Sequence, residues 1–416
     1  MKKLTVNKTG VLLLILGLFL MQDKLQDWWT PFQYFDETFG LLMVPLFVLR
    51  VIQKRNPLPR SQQTLLFFGL LGIFCLCGWA GWLRYQYQPI TNALKDTYVN
   101  LKFFMAAAAG FLLFDDGRTD FSRLKDTLWP ILTTVTVELF ALCLCDLAFG
   151  VFSTEFRGPL RAVKLFYSAY TTLVGNCILL SALYLWYYDR KGKGIIPYLV
   201  MLSFIMYCTR RVKGIGAIAC IIMVYLMVLR DRKAISRKVK ILVGCVLAFA
   251  VVAGGYQLIR YYFLMGTESA RAMLTLAAPF VAWDHFPTGS GWATFGSFFS
   301  GEPYSPVYGM YRMAGIWGIS PNYHAFIADT YWPMILGQCG FFGFAAFIGA
   351  LRIFFRGFVS PREHRASRAS GIMLVLYLLI SSTSESAFAN PIAVPMAFWL
   401  GFLLAERRSP IGECDA

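Results

Sequence analysis

The stretch "SPNYHAFIADTYWPMILGQCGFFG", from Ser320 to Gly343, changes character at Pro333. Its first half is polar and carries His324 and Asp329, whereas its second half begins an uncharged apolar run that ends before Arg352. A run of this length predicts a transmembrane helix. The sequence therefore predicts a membrane helix that follows a polar loop, with ionisable side chains where the chain enters the membrane.

Similar apolar runs recur along the whole chain. The protein has 416 residues, 57% of them hydrophobic, and a mean hydropathy of +0.55. Soluble domains are rarely more than about half apolar, so we expect a single polytopic, all-α integral membrane domain over residues 1–416. The first run is expected to stay as a helix, because no small-residue cleavage site follows it. Hydropathy predicts about twelve spans, near residues 9–21, 38–52, 64–83, 98–114, 128–152, 166–188, 195–209, 214–229, 240–262, 333–356, 370–384 and 391–405.

The formal charge of +16 raises the question of a nucleic-acid partner. About 26 of the 39 lysines and arginines, however, fall in or beside the segments that alternate hydropathy places on one side, as the positive-inside rule expects. The charge therefore indicates topology, with both termini cytoplasmic, and no nucleic-acid partner is expected. The basic segments are "QKRNPLPRSQQ", "DDGRTDFSRLKD", "DRKGKG", "RDRKAISRKVK", "SPREHRASRA" and "ERRSP".

The ten cysteines indicate neither a disulfide framework nor a metal centre. Most lie inside predicted spans, and the Cys-x-Cys pairs have no histidine or carboxylate cluster nearby. No metal and no cofactor are expected.

The longest connection, residues 263–332, lies on the side opposite the basic segments and precedes the last three spans. A connection this long is often functional. Its first part, "TESARAMLTLAAPFVAWDHF", has apolar residues at helical spacing and predicts an amphipathic helix at the membrane interface. The next part, "PTGSGWATFGSFFSGEPYSP", mixes aromatic and small polar residues, which suits either a glycan, with Trp292 as a contact, or an ordinary interfacial aromatic belt.

Several cations stand outside the charge trend. Arg210 and Arg211 occupy a very short external turn, Arg271 lies in the predicted amphipathic helix, and Lys102 lies inside the fourth span. Guanidinium groups bind phosphate oxygens in a bidentate manner, so the arginines are candidates for holding a lipid pyrophosphate; snorkelling at the membrane boundary is the alternative. A charge inside the membrane is costly and usually functional. A further external basic group consists of Arg157, Arg161 and Lys164.

Asp329 precedes its span by about one helical turn. It is a candidate general base, although an acid at this place also caps or stabilises a helix N-terminus. His324 is the second candidate, whereas His285 is expected to orient a turn and His364 to be solvated.

Three motifs, in this order and spacing, resemble the O-antigen polymerase and ligase superfamily of bacterial envelope proteins. They are "CTRRVKGIGAIACIIMVYLMVLRDRK", "SARAMLTLAAPFVAWDHFPTGSGWATF" and "DTYWPMILGQCGFFG". The resemblance covers most of the chain and implies a membrane-embedded, GT-C-like glycosyltransferase that works without a metal. Its donor would be an oligosaccharide on undecaprenyl pyrophosphate at the periplasmic face of the inner membrane.

The resemblance also implies roles for individual residues. Arg210 or Arg211, together with Arg271, would hold the pyrophosphate. In a polymerase, Lys102 would lie near the lipid phosphate, although a buried charge inside the membrane also fits a transporter. Ligases of the superfamily carry His-Asn about eleven residues before Gly-x-x-Gly. That position here is Asp329 followed by Thr330, counted from Gly340, and an aspartate there resembles the polymerase branch. Asp329 is therefore the expected catalytic residue, with His324 second, and the expected glycan contacts are Tyr323, Tyr331 and Trp292.

The alternatives that stay open at this point are an O-antigen ligase, a peptidoglycan polymerase of the shape, elongation and division class, a transporter or flippase, and a structural scaffold. Transporters usually show internal repeats and broken helices near the midplane, and the sequence shows no repeat. The expected partners are the lipid-linked oligosaccharide, the bilayer and a chain-length regulator protein.

Overall fold

The structure, a computed structural model, describes residues 7–53, 61–115, 119–153, 155–157, 160–229, 265–359 and 365–408, with isolated positions between 230 and 264. These ranges are mostly helical, and the strands within them form one short hairpin, Phe156–Arg157 with Leu160–Arg161. The predicted all-α class is confirmed. The α-helices are α1 (Lys8–Leu20), α2 (Gln22–Trp28), α3 (Phe35–Leu41), α4 (Met43–Ile52), α5 (Gln62–Tyr85), α6 (Ile90–Phe114), α7 (Phe121–Phe149), α8 (Tyr170–Trp186), α9 (Tyr188–Lys191), α10 (Ile196–Cys208), α11 (Val212–Val224), α12 (Ala270–Asp284), α13 (Pro306–Met310), α14 (Tyr331–Val359), α15 (Arg365–Ser381) and α16 (Ala393–Glu406).

Five helices of the described ranges are long and apolar enough to cross a membrane: α5, α6, α7, α14 and the helical stretch Val212–Leu229 that includes α11. A sixth arises if α1 and α2, which meet at a 72° bend, form one broken span. The shorter helices α8 and α16 are also apolar. The chain therefore has the fold of an all-α membrane protein.

The expected count of twelve spans is not reached in the part of the chain that the structure describes. The expected span 38–52 is split into α3 and α4 at Leu42, and the expected span 195–209 is a helix of only 13 residues, α10. The expected span 240–262 lies outside the described residues, apart from isolated positions. Hydropathy locates apolar runs, but it does not show where a run bends or stops short of membrane thickness.

The connections between helices gather at two ends of the bundle. At one end, here called the loop end, the α2 segment meets the start of α8 through Asp23 and Ser168, and Gln88 contacts Pro303. At the other end, here called the basic end, Lys8 donates to Thr119 and Arg408 pairs with Asp115. Both ends of the described chain, near residues 8 and 408, thus lie at the basic end.

The segment that follows α12 is inserted into the bundle rather than lying over it. Ser290 and Gly291 donate their backbone N–H groups to the carbonyls of Gly337 and Gln338, at 3.0 and 2.9 Å. These carbonyls lie just before Gly340, where α14 is interrupted with φ 64° and ψ −174°. An interrupted helix leaves carbonyl groups without their usual i+4 donors, so the inserted loop satisfies groups that the kink sets free.

Glycine is required where this loop meets the kinked helix. Gly289 has φ +79°, and a Cβ there would lie 2.6 Å from the carbonyl oxygen of Gln338. On the other side of the loop, a Cβ at Gly81 of α5 would lie 2.6 Å from the Gly289 carbonyl oxygen. The "PTGSG" motif is therefore wedged between α5 and α14. Buried Asp96 of α6 holds the next turn by accepting from Ala293 N at 2.8 Å and Ser297 Oγ at 2.7 Å.

Helix α12 occupies the stretch in which the sequence predicts an amphipathic helix. Its small residues, such as Ala277 and Ala278, are buried. The large apolar side chains Leu276, Phe280 and Trp283 are exposed on another face. Small residues allow close approach to the neighbouring helix, and the packing orients Arg271, in the first turn of α12, toward the loop end.

Candidate active site

Arg271 and Asp329 form an ion pair at the loop end. Asp329 lies in the turn before α14, where its N–H donates to the Phe326 carbonyl at 3.2 Å. Its Oδ2 accepts from Arg271 Nη2 at 2.9 Å and from Nε at 3.2 Å. The turn is anchored by Ser386 Oγ, which donates to the Ala328 carbonyl at 2.8 Å. Two residues that the sequence proposes for different roles, pyrophosphate binding and catalysis, are thus in direct contact.

A second ion pair adjoins the first. Lys213, in the first turn of α11, lies 2.8 Å from Glu385 Oε2 in the α15–α16 connection, and their side chains are 19% and 16% exposed. Both charges lie close enough to Asp329 to affect its protonation. We refer to Lys213, Arg271, Asp329 and Glu385 as the four-charge cluster. It joins four separate segments of the chain at one place.

Burial and charge act in opposite directions on Asp329. Burial raises the pKa of its carboxyl group above the ordinary value, and Glu385 acts in the same direction. The charge and hydrogen bonds of Arg271, and the charge of Lys213, lower the pKa but do not offset the burial. A carboxylate with a raised pKa is a better proton acceptor than an ordinary surface aspartate. The arrangement therefore suits a general base beside a cationic site.

Arg210 and Arg211 lie on the turn between α10 and α11, immediately before Lys213. Arg210 has φ 54°, its guanidinium lies 4.4 Å from the Tyr207 ring centroid, and its buried Nε has no hydrogen-bond partner among the described residues. Arg211 lies 4.6 Å from the ring centroid of Tyr170. The turn places both arginines at the loop end, but neither contacts Asp329 in the described structure.

Lys102 has a partner within the chain. Its Nζ lies 2.6 Å from Asp36 Oδ2, and both side chains are only 3% exposed. The ion pair with Asp36 explains how a charged lysine can be buried at this position. The predicted contact of Lys102 with a lipid phosphate has no geometric support in this arrangement.

His324 lies apart from the four-charge cluster. Its Nε2 is 3.6 Å from Glu302 Oε1, and no contact joins it to Asp329 in the described structure. The neighbouring Tyr323 is 42% exposed and stacks on Trp317, which is 67% exposed, with ring centroids 5.2 Å apart. An exposed aromatic pair is a suitable surface for the apolar face of a sugar, and the glycan contact of Tyr323 stays a prediction.

Tyr331 and Trp292 are fully buried in the core. Tyr331 packs against Phe347 and Phe388, and Trp292 packs edge-on against Phe74 at a centroid distance of 5.1 Å. Both side chains are therefore part of the packed core. The predicted glycan contacts of these two side chains have no support in this geometry.

Sequence reasoning missed Lys213, Glu385 and Trp317. Lys213 follows Arg210 and Arg211 after one intervening residue, Val212. A third cation on the same short external turn, against the charge trend, was a usable signal. Glu385 lies in "SSTSES", a polar stretch between two predicted spans that carries one acid. Short polar connections receive little weight in a hydropathy profile, which explains the omission.

Within the described ranges, no three side chains of histidine, cysteine, aspartate or glutamate come together as a metal-binding group. The carboxylates of the four-charge cluster are balanced by Lys213 and Arg271. Neither a comparison with protein-family models nor a search of curated proteins finds a match to this chain. The function is therefore inferred from the residues and their geometry.

Proposed function

We propose that this protein is a membrane-embedded glycosyltransferase that polymerises oligosaccharide repeat units carried on undecaprenyl pyrophosphate. The observation that carries the proposal is the contact between Arg271 and Asp329. A phosphate-binding cation and a proton-accepting carboxylate lie side by side, as a reaction at a sugar–pyrophosphate bond requires. The resemblance of three sequence motifs to the O-antigen polymerase and ligase superfamily supports the same chemistry.

In the proposed reaction, a hydroxyl oxygen of one lipid-linked repeat attacks C1 of the reducing-end sugar on the other. The new C–O bond forms as the bond from C1 to the pyrophosphate oxygen breaks. The carrier pyrophosphate leaves with that electron pair, and the hydroxyl proton passes to Asp329 and then to solvent. Arg271, with Arg210 or Arg211, would stabilise the negative charge that develops on the leaving group.

We propose that the loop end faces the periplasm and that the basic end faces the cytoplasm of a bacterial inner membrane. The positive-inside rule supports this orientation, because lysine and arginine mark cytoplasmic loops. The contacts of Lys8 with Thr119 and of Arg408 with Asp115 tie both described chain ends to the basic end. A GT-C-like architecture, and association with a chain-length regulator protein, are part of the same proposal.

The test is the surface glycan of a strain that lacks the gene, separated on a gel. The proposal expects lipid core carrying a single repeat unit, with long chains restored by the wild-type gene but not by Asp329→Asn. A bare core with polymer accumulating on its carrier would instead identify a ligase. Repeat units retained on the cytoplasmic face would identify a flippase, and unchanged long chains would exclude all three functions.

A further inference from the structure

A polar cavity of about 290 Å³ opens beside the four-charge cluster. It lies between the α1–α2 segment, the start of α8, and the connection from α15 to α16. Its polar lining includes Gln26, Gln33, Thr171, Thr172 and Asn390. The volume is far above the ~30 Å³ that one water occupies in the liquid, so the cavity has room for a polar organic group.

The side chains of these five residues have no hydrogen-bond partner among the described residues. The structure around them is nevertheless held in place. Asp23 Oδ2 accepts from Ser168 N at 2.7 Å and from Ser168 Oγ at 2.6 Å. Gln22, which also lines the cavity, donates to Asp36 Oδ1 at 3.3 Å, and Asp36 is in turn paired with Lys102. Fixed walls that carry uncommitted donors and acceptors are the arrangement expected of a binding site.

The charge of the cavity lining favours a neutral sugar over an anionic phosphate as the ligand. Among the described residues, no lysine or arginine lines the cavity, whereas two carboxylates, those of Asp23 and Glu385, do. An anionic pyrophosphate would therefore be repelled. Amide and hydroxyl side chains both donate and accept hydrogen bonds, which matches sugar hydroxyls, and Phe19, Ile392 and Pro395 offer apolar contact to the C–H face of a ring.

We propose that this cavity binds a neutral sugar ring of the attacking repeat unit. The inference rests on the proposed function, because it assigns the second substrate of that reaction. Glu385 connects the two sites: its carboxylate lines the cavity and pairs with Lys213 in the cluster. A sugar bound there would lie next to Asp329, the proposed proton acceptor. In this proposal, the pair of Lys102 and Asp36 holds the Gln22 side chain in position and does not contact the lipid phosphate.

The test measures binding of a defined probe to the purified full-length protein in detergent micelles. The probe is the repeat-unit oligosaccharide released from the strain's surface polysaccharide by partial acid hydrolysis, observed by saturation-transfer NMR. Gln33→Leu and Thr172→Val should each raise the Kd about fivefold to tenfold, as expected for one lost hydrogen bond. The matched controls Gln63→Leu and Thr127→Val, at exposed positions of the basic end, should bind as the wild type does.

Three results would overturn the inference: no binding to the wild-type protein, equal binding to the cavity variants, or displacement of the oligosaccharide by inorganic pyrophosphate. The result for the proposed function is separate. If a strain lacking the gene still makes long chains while the cavity variants lose the oligosaccharide, the polymerase proposal fails and the sugar site remains.

Discussion

Arg271 contacts one of the two carboxylate oxygens of Asp329 and leaves the other free. Nε and Nη2 of Arg271 both meet Oδ2, at 3.2 and 2.9 Å, whereas Oδ1 makes no hydrogen bond to any described residue. One oxygen is thus fixed by the guanidinium while the second remains able to accept a proton. This division of the carboxylate is the geometry expected of a general base that is oriented by a cation.

Replacing Asp329 by asparagine should abolish most of the activity. The amide keeps the shape of the side chain but cannot take the hydroxyl proton, so we expect the rate to fall on the order of 10²- to 10⁴-fold. The rate of chain extension by purified protein, reconstituted with lipid-linked repeat units, measures the effect. Asp284→Asn is the matched control, since Asp284 is an exposed acid that accepts a hydrogen bond from Tyr311. Equal activity of the two variants would remove Asp329 from the catalytic role.

Replacing Arg271 by glutamine should move the pH dependence as well as the rate. The base acts when it is deprotonated, and Arg271 lowers the pKa of Asp329 against the effect of burial. Without the guanidinium the pKa rises further, so the acid limb of the pH–rate profile should shift to higher pH. A profile measured at saturating donor separates this shift from weaker donor binding. Arg312→Gln, at an exposed position of the same segment, should leave the limb in place. An unshifted limb in Arg271→Gln would show that Asp329 is not the titrating base.

The pair of Lys102 and Asp36 allows a structural role to be separated from phosphate binding. Lys102→Met leaves a buried carboxylate without its partner, which should destabilise the protein by about 3 kcal/mol or more. Lys102→Met combined with Asp36→Asn removes both charges and keeps an acceptor for Gln22. We expect the double variant to recover thermal stability in detergent and most of the chain-extension activity. Restored stability with a strongly raised KM for the donor would show instead that Lys102 holds the lipid phosphate.

Gly289→Ala should disrupt the packing of the "PTGSG" loop between α5 and α14. A Cβ at this position meets the Gln338 carbonyl and is strained at φ +79°, so we expect a loss of stability on the order of 3 kcal/mol. Melting temperature and yield of folded protein in detergent measure this loss. Gly309→Ala is the control, because a Cβ there meets nothing within 4 Å. Similar melting temperatures for the two variants would contradict the close packing of the "PTGSG" loop against α14.

Much of the fold was predictable because it follows from local patterns. The long apolar runs predicted the helices α5, α6, α7 and α14, and the polar-to-apolar change before Pro333 placed the start of α14 within two residues of its observed position, Tyr331. Hydropathy could not show the bend between α1 and α2 or the interruption at Gly340. These features depend on what packs against the helix rather than on its composition.

The candidate site was predictable only as separate residues. Arg271 and Asp329 stood out by residue type and place, yet they lie 58 positions apart and no local pattern joins them. For Tyr331 and Trp292, residue type suggested a glycan contact, but both side chains are buried in the core. An aromatic residue near a membrane boundary looks the same in the sequence whether it faces a ligand or the core. The polymerase chemistry itself stays a prediction.

The sequence by itself determined the all-α membrane class and the separation of basic segments from polar, aromatic ones, since both depend on side-chain hydropathy and charge along the chain. Only the tertiary structure decided which charges meet. The contact of Asp329 with Arg271, of Lys213 with Glu385 and of Lys102 with Asp36 arises because packing brings distant segments together. Burial is costly for an unpaired charge, so each of these groups is stable where it lies because of a partner from another part of the chain.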